Sequence, residues 1–131
     1  MDYLLDADWI INALAGKRGA NTVIADLSDA GIAIAATTVG EIYEGAFGAP
    51  DPAGHLASLR TFLAPFQVIQ PEDAVMERFA RIRSDLRRQG QLIPDFDILV
   101  AATALEHDLE VLTFNIRHFS RINGLSLHAI S

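Results

Sequence analysis

Apolar positions in this chain fall into short blocks that alternate between continuous runs and helical spacing. Tyr3 to Asp6 is an apolar run ending on charge, which predicts a first strand. From about Asp8 to Ala15 the spacing is helical, and it breaks at Gly-Lys-Arg-Gly. The stretch NTVIADLSDAG predicts a helix stopped by Gly31. IAIAATT is β-branched and alanine-rich without polar alternation, as expected of a strand covered on both faces. Helices follow over Thr38 to Phe47 and His55 to Leu63, separated by the loop GAPDPAG. FQVIQ, bracketed by Pro65 and Pro71, predicts a third strand. Glu72 to Gln89 carries Val75, Phe79, Ile82 and Leu86 at helical spacing and is closed by Gly90. After the loop GQLIP, Phe96 to His107 is a helix apolar on nearly every side. EVLTFN gives a fourth strand and LSLHAI a short fifth.

Strands alternating with helices predict an α/β, three-layer sandwich around a mainly parallel five-stranded sheet, with right-handed crossovers. Ligands of such sheets sit beyond the carboxyl ends of the strands. The 131 residues, half of them hydrophobic, suit one domain spanning residues 1–131. No apolar run is long enough for a signal peptide or a membrane span, and the cytoplasm is the expected location. The absence of cysteine excludes disulfides, thiolate metal sites and a thiol nucleophile. A net charge of −7 argues against a protein that wraps nucleic acid electrostatically, though not against an enzyme acting on it. The arginines at 78, 81, 83, 87 and 88, and those at 117 and 121, read equally as a solvated helix face or as a substrate-facing patch.

The carboxyl edge collects acids from distant segments. Asp6 ends strand one, Glu41 lies just past strand two, and Asn115 ends strand four. The helix feeding strand four starts with Asp95 and Asp97 at the same edge. Carboxylates gathered this way repel and raise one another's pKa values. Lys17 is the sole lysine and no arginine adjoins these positions, so a hard divalent cation is the expected compensation. Capping competes with ligation at several positions. Asp8 reads as an N-cap or a ligand, and Thr38 with Glu41 has the capping-box spacing. Asp95 reads as the N-cap of its helix, leaving Asp97 to work on the face shared with Ala101, Ala104 and Leu105. The histidines have no ligand spacing, so a histidine-centred site is not expected.

YLLDADWIINAL, TTVGEIYEGAF and IPDFDILVAATALEHDLEVLTFNIRHFSRINGL, in this order and separation, resemble PIN-domain ribonucleases and, more narrowly, the VapC toxins of type II toxin–antitoxin pairs. The resemblance covers nearly the whole chain, and its most specific block is Asp97 before an alanine-rich helix followed by T-x-N-x-x-x-F. It implies a catalytic set of Asp6, Glu41, Asp97 and Asn115. Asp6 and Asp97 would hold Mg2+, or Mn2+, while Thr38, Asp95 and Thr113 support the site. Asn115 stands where the family often has an aspartate. The implied reaction is hydrolysis of an RNA phosphodiester, leaving a 5′-phosphate and a 3′-hydroxyl. A homodimer and a cognate antitoxin are implied as well, with Tyr43, Phe47, Leu59 and Phe62 lining a groove for an apolar antitoxin helix or else packing in the core.

Other readings keep a place. LLDAD carries the D-x-D of haloacid-dehalogenase-like phosphatases, but Ile10 stands where a hydroxyl is usual and no lysine follows Lys17. A receiver-like signalling domain would want an aspartate ending strand three, which FQVIQP lacks. A degenerate PIN domain that binds RNA or a partner without cleaving it is the remaining alternative.

Overall fold

A computed structural model describes residues 2–129. The elements are β1 (Tyr3–Leu5), α1 (Ala7–Leu14), α2 (Ala20–Leu27), β2 (Ile32–Ala35), α3 (Ala36–Phe47), α4 (Pro52–Leu63), β3 (Gln67–Ile69), α5 (Asp73–Arg88), α6 (Asp95–His107), β4 (Glu110–Leu112) and α7 (Ile116–Phe119). The strands form one parallel sheet in the order β3-β2-β1-β4. β1 therefore lies inside the sheet, with Leu4 opposite both Ala33 and Val111.

Period-two alternation divides these strands between two cores. Leu4, Ala33 and Val111 face α5, α6 and α7, where they meet Leu86, Ile98, Ala101 and Phe119. Leu5, Ile32, Ile34 and Leu112 face the other way, toward Trp9 and Ile10 of α1, Ile42 of α3 and Leu59 of α4. The result is an α/β sandwich with helices on both faces. The apolar character of α6 follows from its place: Ile98, Val100, Ala101, Ala102 and Ala104 are all buried. Among the described residues no helix is long and apolar enough to cross a membrane.

Among the described residues the sheet has four strands, not the expected five. Of the segment 125–130, Ile130 lies outside the described residues, and Leu127 makes only an isolated parallel bridge to Val111. Two backbone bonds hold it there, Val111 N–H to Ser126 and His128 N–H to Val111. β4 is only three residues long because the chain turns away after Leu112 toward the carboxylates, so its outer edge offers little length for a further strand. The second and fourth strands are likewise shorter than the apolar runs suggested. α3 begins directly at Ala36, and residues 116–119, which carried no helical expectation, form α7.

The close approach of α6 to the sheet depends on small side chains. Ala101→Leu is expected to overpack this contact and to destabilise the fold by about 1–3 kcal/mol. The check is a lower urea midpoint with an unchanged slope.

Candidate active site

β1 passes into α1 without a loop, and this fixes Asp6. Its N–H continues the ladder to Leu112 O at 2.9 Å. Its carboxylate caps α1, Oδ1 accepting from Ala7 N–H at 2.8 Å, while Oδ2 accepts from the Thr113 hydroxyl at 2.7 Å. The cap expected of Asp8 is thus supplied by Asp6, because the helix starts one residue earlier than the spacing suggested. Asp8 instead spans to the exit of β4. Its two oxygens accept from Phe114 N–H at 3.2 and 3.1 Å, and each lies 3.4 Å from the Thr113 hydroxyl.

Asp97 stands in the first turn of α6, buried, and shares its surroundings with α7. The N-cap of α6 is Pro94, not Asp95. Proline's fixed φ suits a helix start, and Pro94 O accepts from the N–H groups of Asp97 and Ile98. Asp95 turns outward to the Arg83 Nε at 2.8 Å. Asp97 Oδ2 lies 2.9 Å from His118 Nδ1, which is also 2.7 Å from Asn115 Nδ2. One ring nitrogen cannot donate to the carboxylate and accept from the amide at once. With a proton on Nδ1 the imidazole donates to Asp97, and turning the Asn115 amide so that its oxygen faces the ring gives up the longer contact, 3.4 Å, from Asn115 Nδ2 to Asp97 Oδ2. Asn115 N–H is tied to the Thr113 hydroxyl at 2.9 Å, so Thr113 links the two halves of the cluster.

Glu41 and Thr38 come from α3, and they do not form a capping box. The helix is capped at Ala35, which places Thr38 inside it, fully buried. The Thr38 hydroxyl and Glu41 Oε1 are buried without hydrogen-bond partners. Such orphaned atoms are uncommon and call for an explanation.

Burial pushes Asp6 up to about 7, with the Asp8 charge adding to the effect and the Thr113 and Ala7 donors opposing it. Asp8 is raised by burial, against the donors Phe114 and Thr113. Glu41 is raised by burial and then by the charges of Asp97 and Asp8. Among the described residues no lysine or arginine forms an ion pair with Asp6, Asp8, Glu41 or Asp97. Four of the five α5 arginines are engaged elsewhere, Arg78 with Glu106, Arg81 with Glu77, Arg83 with Asp95 and Arg88 with Asp85. This favours the solvated-face reading for that helix.

The donors suit a hard divalent cation in chemistry, being carboxylate and amide oxygens with one buried oxygen unpartnered. Their present spacing is open. Among the described residues no three Asp, Glu, His or Cys side chains are close enough to enclose one ion.

Sequence reasoning gave no role to His118. The usable signal was N-x-x-H across one helical turn, hidden because α7 was not anticipated. Of the residues expected along a groove, Leu59 is buried and lines an apolar hollow of about 430 Å³ with Ile11, Leu14 and Ile42, which reaches Glu41. Tyr43 and Phe62 pack against the core, and Phe47 is 69% exposed.

Residues 3–125 match the family model described as the PIN domain. The chain is 27% identical over 125 residues to the tRNA(fMet)-specific endonuclease VapC of Shigella flexneri, covering 95% of each chain. It is 28% identical over 127 residues to ribonuclease VapC2 of Haemophilus influenzae, again over 95% of each. Its fold superposes with a TM-score of 0.91 on a chain of VapBC2 from Rickettsia felis, crystallised with a DNA fragment from its promoter. That match has 23% identity and covers 98% of both chains.

A carboxyl group with a raised folded-state pKa binds its proton more tightly in the folded than in the unfolded chain. For Asp6 the stability is therefore greatest below its ordinary value and falls as pH rises from about 4 to about 7, then levels off. Without divalent metal, urea unfolding should show this decline, at most about 1.4 kcal/mol per pH unit for one proton. Asp6→Asn should flatten it and make the metal-free protein more stable at pH 8.

Proposed function

The chain belongs to the PIN-domain family and is homologous to VapC-type toxins of type II toxin–antitoxin systems, and from this we propose that it is a divalent-metal-dependent endoribonuclease and the toxin of such a pair. The observation that carries the reading is the convergence of Asp6, Asp8, Glu41 and Asp97 from α1, α3, α6 and the end of β1, mutually repelling and without a lysine or arginine among the described residues to neutralise them. Near pH 7 partial protonation of Asp6, and the hydrogen bond between His118 and Asp97, relieve part of that repulsion. Residues 1–131 are read as one PIN domain.

In this reading Asp6 and Asp97 hold Mg2+ or Mn2+, with Asp8 and the Asn115 amide oxygen within the same cluster. The bound ion supplies positive charge that offsets the phosphate and makes water more acidic. Thr113 keeps the Asp6 carboxylate in one orientation. Glu41, with an oxygen free of partners, orients the attacking water and accepts its proton. Water adds to phosphorus, the bond to the 3′-oxygen breaks, that oxygen takes a proton from solvent, and the products are a 5′-phosphate and a 3′-hydroxyl. Thr38 shapes the floor beneath Glu41. Asp95 acts at a distance, by tying the start of α6 to α5 through Arg83.

The relatives support an antitoxin partner and a homodimer. The hollow between α1, α3 and α4 would take an apolar antitoxin helix, with Ile11 57% and Leu14 40% exposed on its rim. It ends at Glu41, where a basic antitoxin side chain would meet the acids. Ile10, the position at which a phosphatase of the D-x-D type would place a hydroxyl, is buried in the core, which disfavours that alternative.

Purified protein should cut a mixed cellular RNA pool when Mg2+ or Mn2+ is present, and the fragments should vanish with EDTA or in Asp97→Asn. No cleavage by folded protein would refute the endoribonuclease reading. Mg2+ should also raise the Tm of the wild type near pH 7.5, and should do so much less in Asp97→Asn.

A further inference from the structure

Beside the carboxylates lies a stack that the reaction as described leaves unused. Trp9 and Phe114 are parallel, their ring centroids 4.2 Å apart and their planes at 4°. The Arg18 guanidinium carbon sits 3.9 Å from the Phe114 centroid, so the three groups form a stack. The inner end is fixed. Trp9 is 2% exposed, and its indole N–H donates to Ala20 O. The outer end is open, since Arg18 is exposed and forms no ion pair among the described residues. A hollow of about 300 Å³ adjoins it, with Thr22 and His128 on its walls.

Two further features distinguish this arginine from an ordinary surface cation. Its backbone has φ +58°, left-handed and costly for a side chain with a Cβ, between Gly16 and Gly19, which are also left-handed. Phe114, on which it rests, is the residue between Thr113 and Asn115, and its N–H donates to Asp8. The stack is thus one residue away from the acidic cluster on either side.

We infer that Arg18, held on Phe114, is the seat for a nucleotide of single-stranded RNA adjacent to the bond that is cut. The inference rests on the nuclease reading above and names a substrate contact for it. A base stacks on the free face of the guanidinium, as unpaired RNA bases do on arginine and aromatic planes. The charge of Arg18 faces the neighbouring phosphate in a molecule otherwise negative, at −7 overall. Arg18 is a positioning residue and takes no part in proton transfer.

The test is fluorescence anisotropy of a labelled random-sequence single-stranded RNA, with Ca2+ replacing Mg2+, while emission of Trp9, the sole tryptophan, is followed in parallel. Wild-type protein should bind with a change in Trp9 emission. Arg18→Gly should bind about tenfold more weakly. Its Tm should be unchanged or higher, because glycine relaxes the left-handed backbone. Arg18→Lys should recover part of the affinity and none of the emission change. Equal RNA affinity in wild type and Arg18→Gly, or no RNA binding by wild type, would overturn the inference. A parallel cleavage assay in Mg2+ separates the two readings. Weakened binding by Arg18→Gly with no cutting by wild type removes the nuclease and leaves the RNA seat. Cutting by wild type with an unchanged KM in Arg18→Gly removes the seat and leaves the nuclease.

Discussion

A carboxylate at the end of an interior strand is the constraint around which the site is built. Asp6 is 4% exposed, and its charge has left water without a basic partner. Burying an isolated charge is costly, and a chain can meet that cost by protonation, by hydrogen bonding or by an ion. All three responses are visible or prepared in this molecule. The pKa climbs to about 7, Ala7 and Thr113 donate to the two oxygens, and oxygen donors from three other segments lie nearby. Thr113 is central because one hydroxyl donates to Asp6 while accepting from Asn115 N–H. The two ends of the cluster are thereby held by a single side chain.

The same economy appears in the secondary structure. Strands three or four residues long carry few side chains, yet β1, β2 and β4 each contribute to both cores through strict alternation, while β3 gives Ile69 to one of them. Shortness also frees the residues that follow. The chain beyond β1, β2 and β4 turns immediately into helix or bend; Asp6 and Thr113 to Asn115 stand at those turns, and Thr38 with Glu41 lies in the first two turns of α3. Long strands would have carried these groups away from one another.

The sequence made the alternation of strands and helices legible, because apolar runs and helical periodicity are local signals. The burial of α6 could be read from its composition, and the rule that places ligands at strand ends pointed to the edge where Asp6, Glu41 and Asp97 influence one another's charge. The remainder depends on contacts that no local window contains. Asp8 resembles a cap until the Phe114 N–H, 106 residues away, is seen to occupy it. His118 lacks a partner in sequence and acquires one only when α7 folds beside α6. Asp95 was read as a cap because the pull of Arg83 from another helix is not written near it. The expected fifth strand is reduced, among the described residues, to one bridge between Leu127 and Val111, because β4 itself ends after three residues.

The order of the strands also has a temporal meaning. β1 pairs with the edge strand β4, and the hydroxyl that fixes Asp6 lies 107 residues further along the chain. Parallel pairing of this kind cannot close until the intervening chain exists. A growing polypeptide that has made β1 but not yet β4 therefore holds the acids of this edge apart.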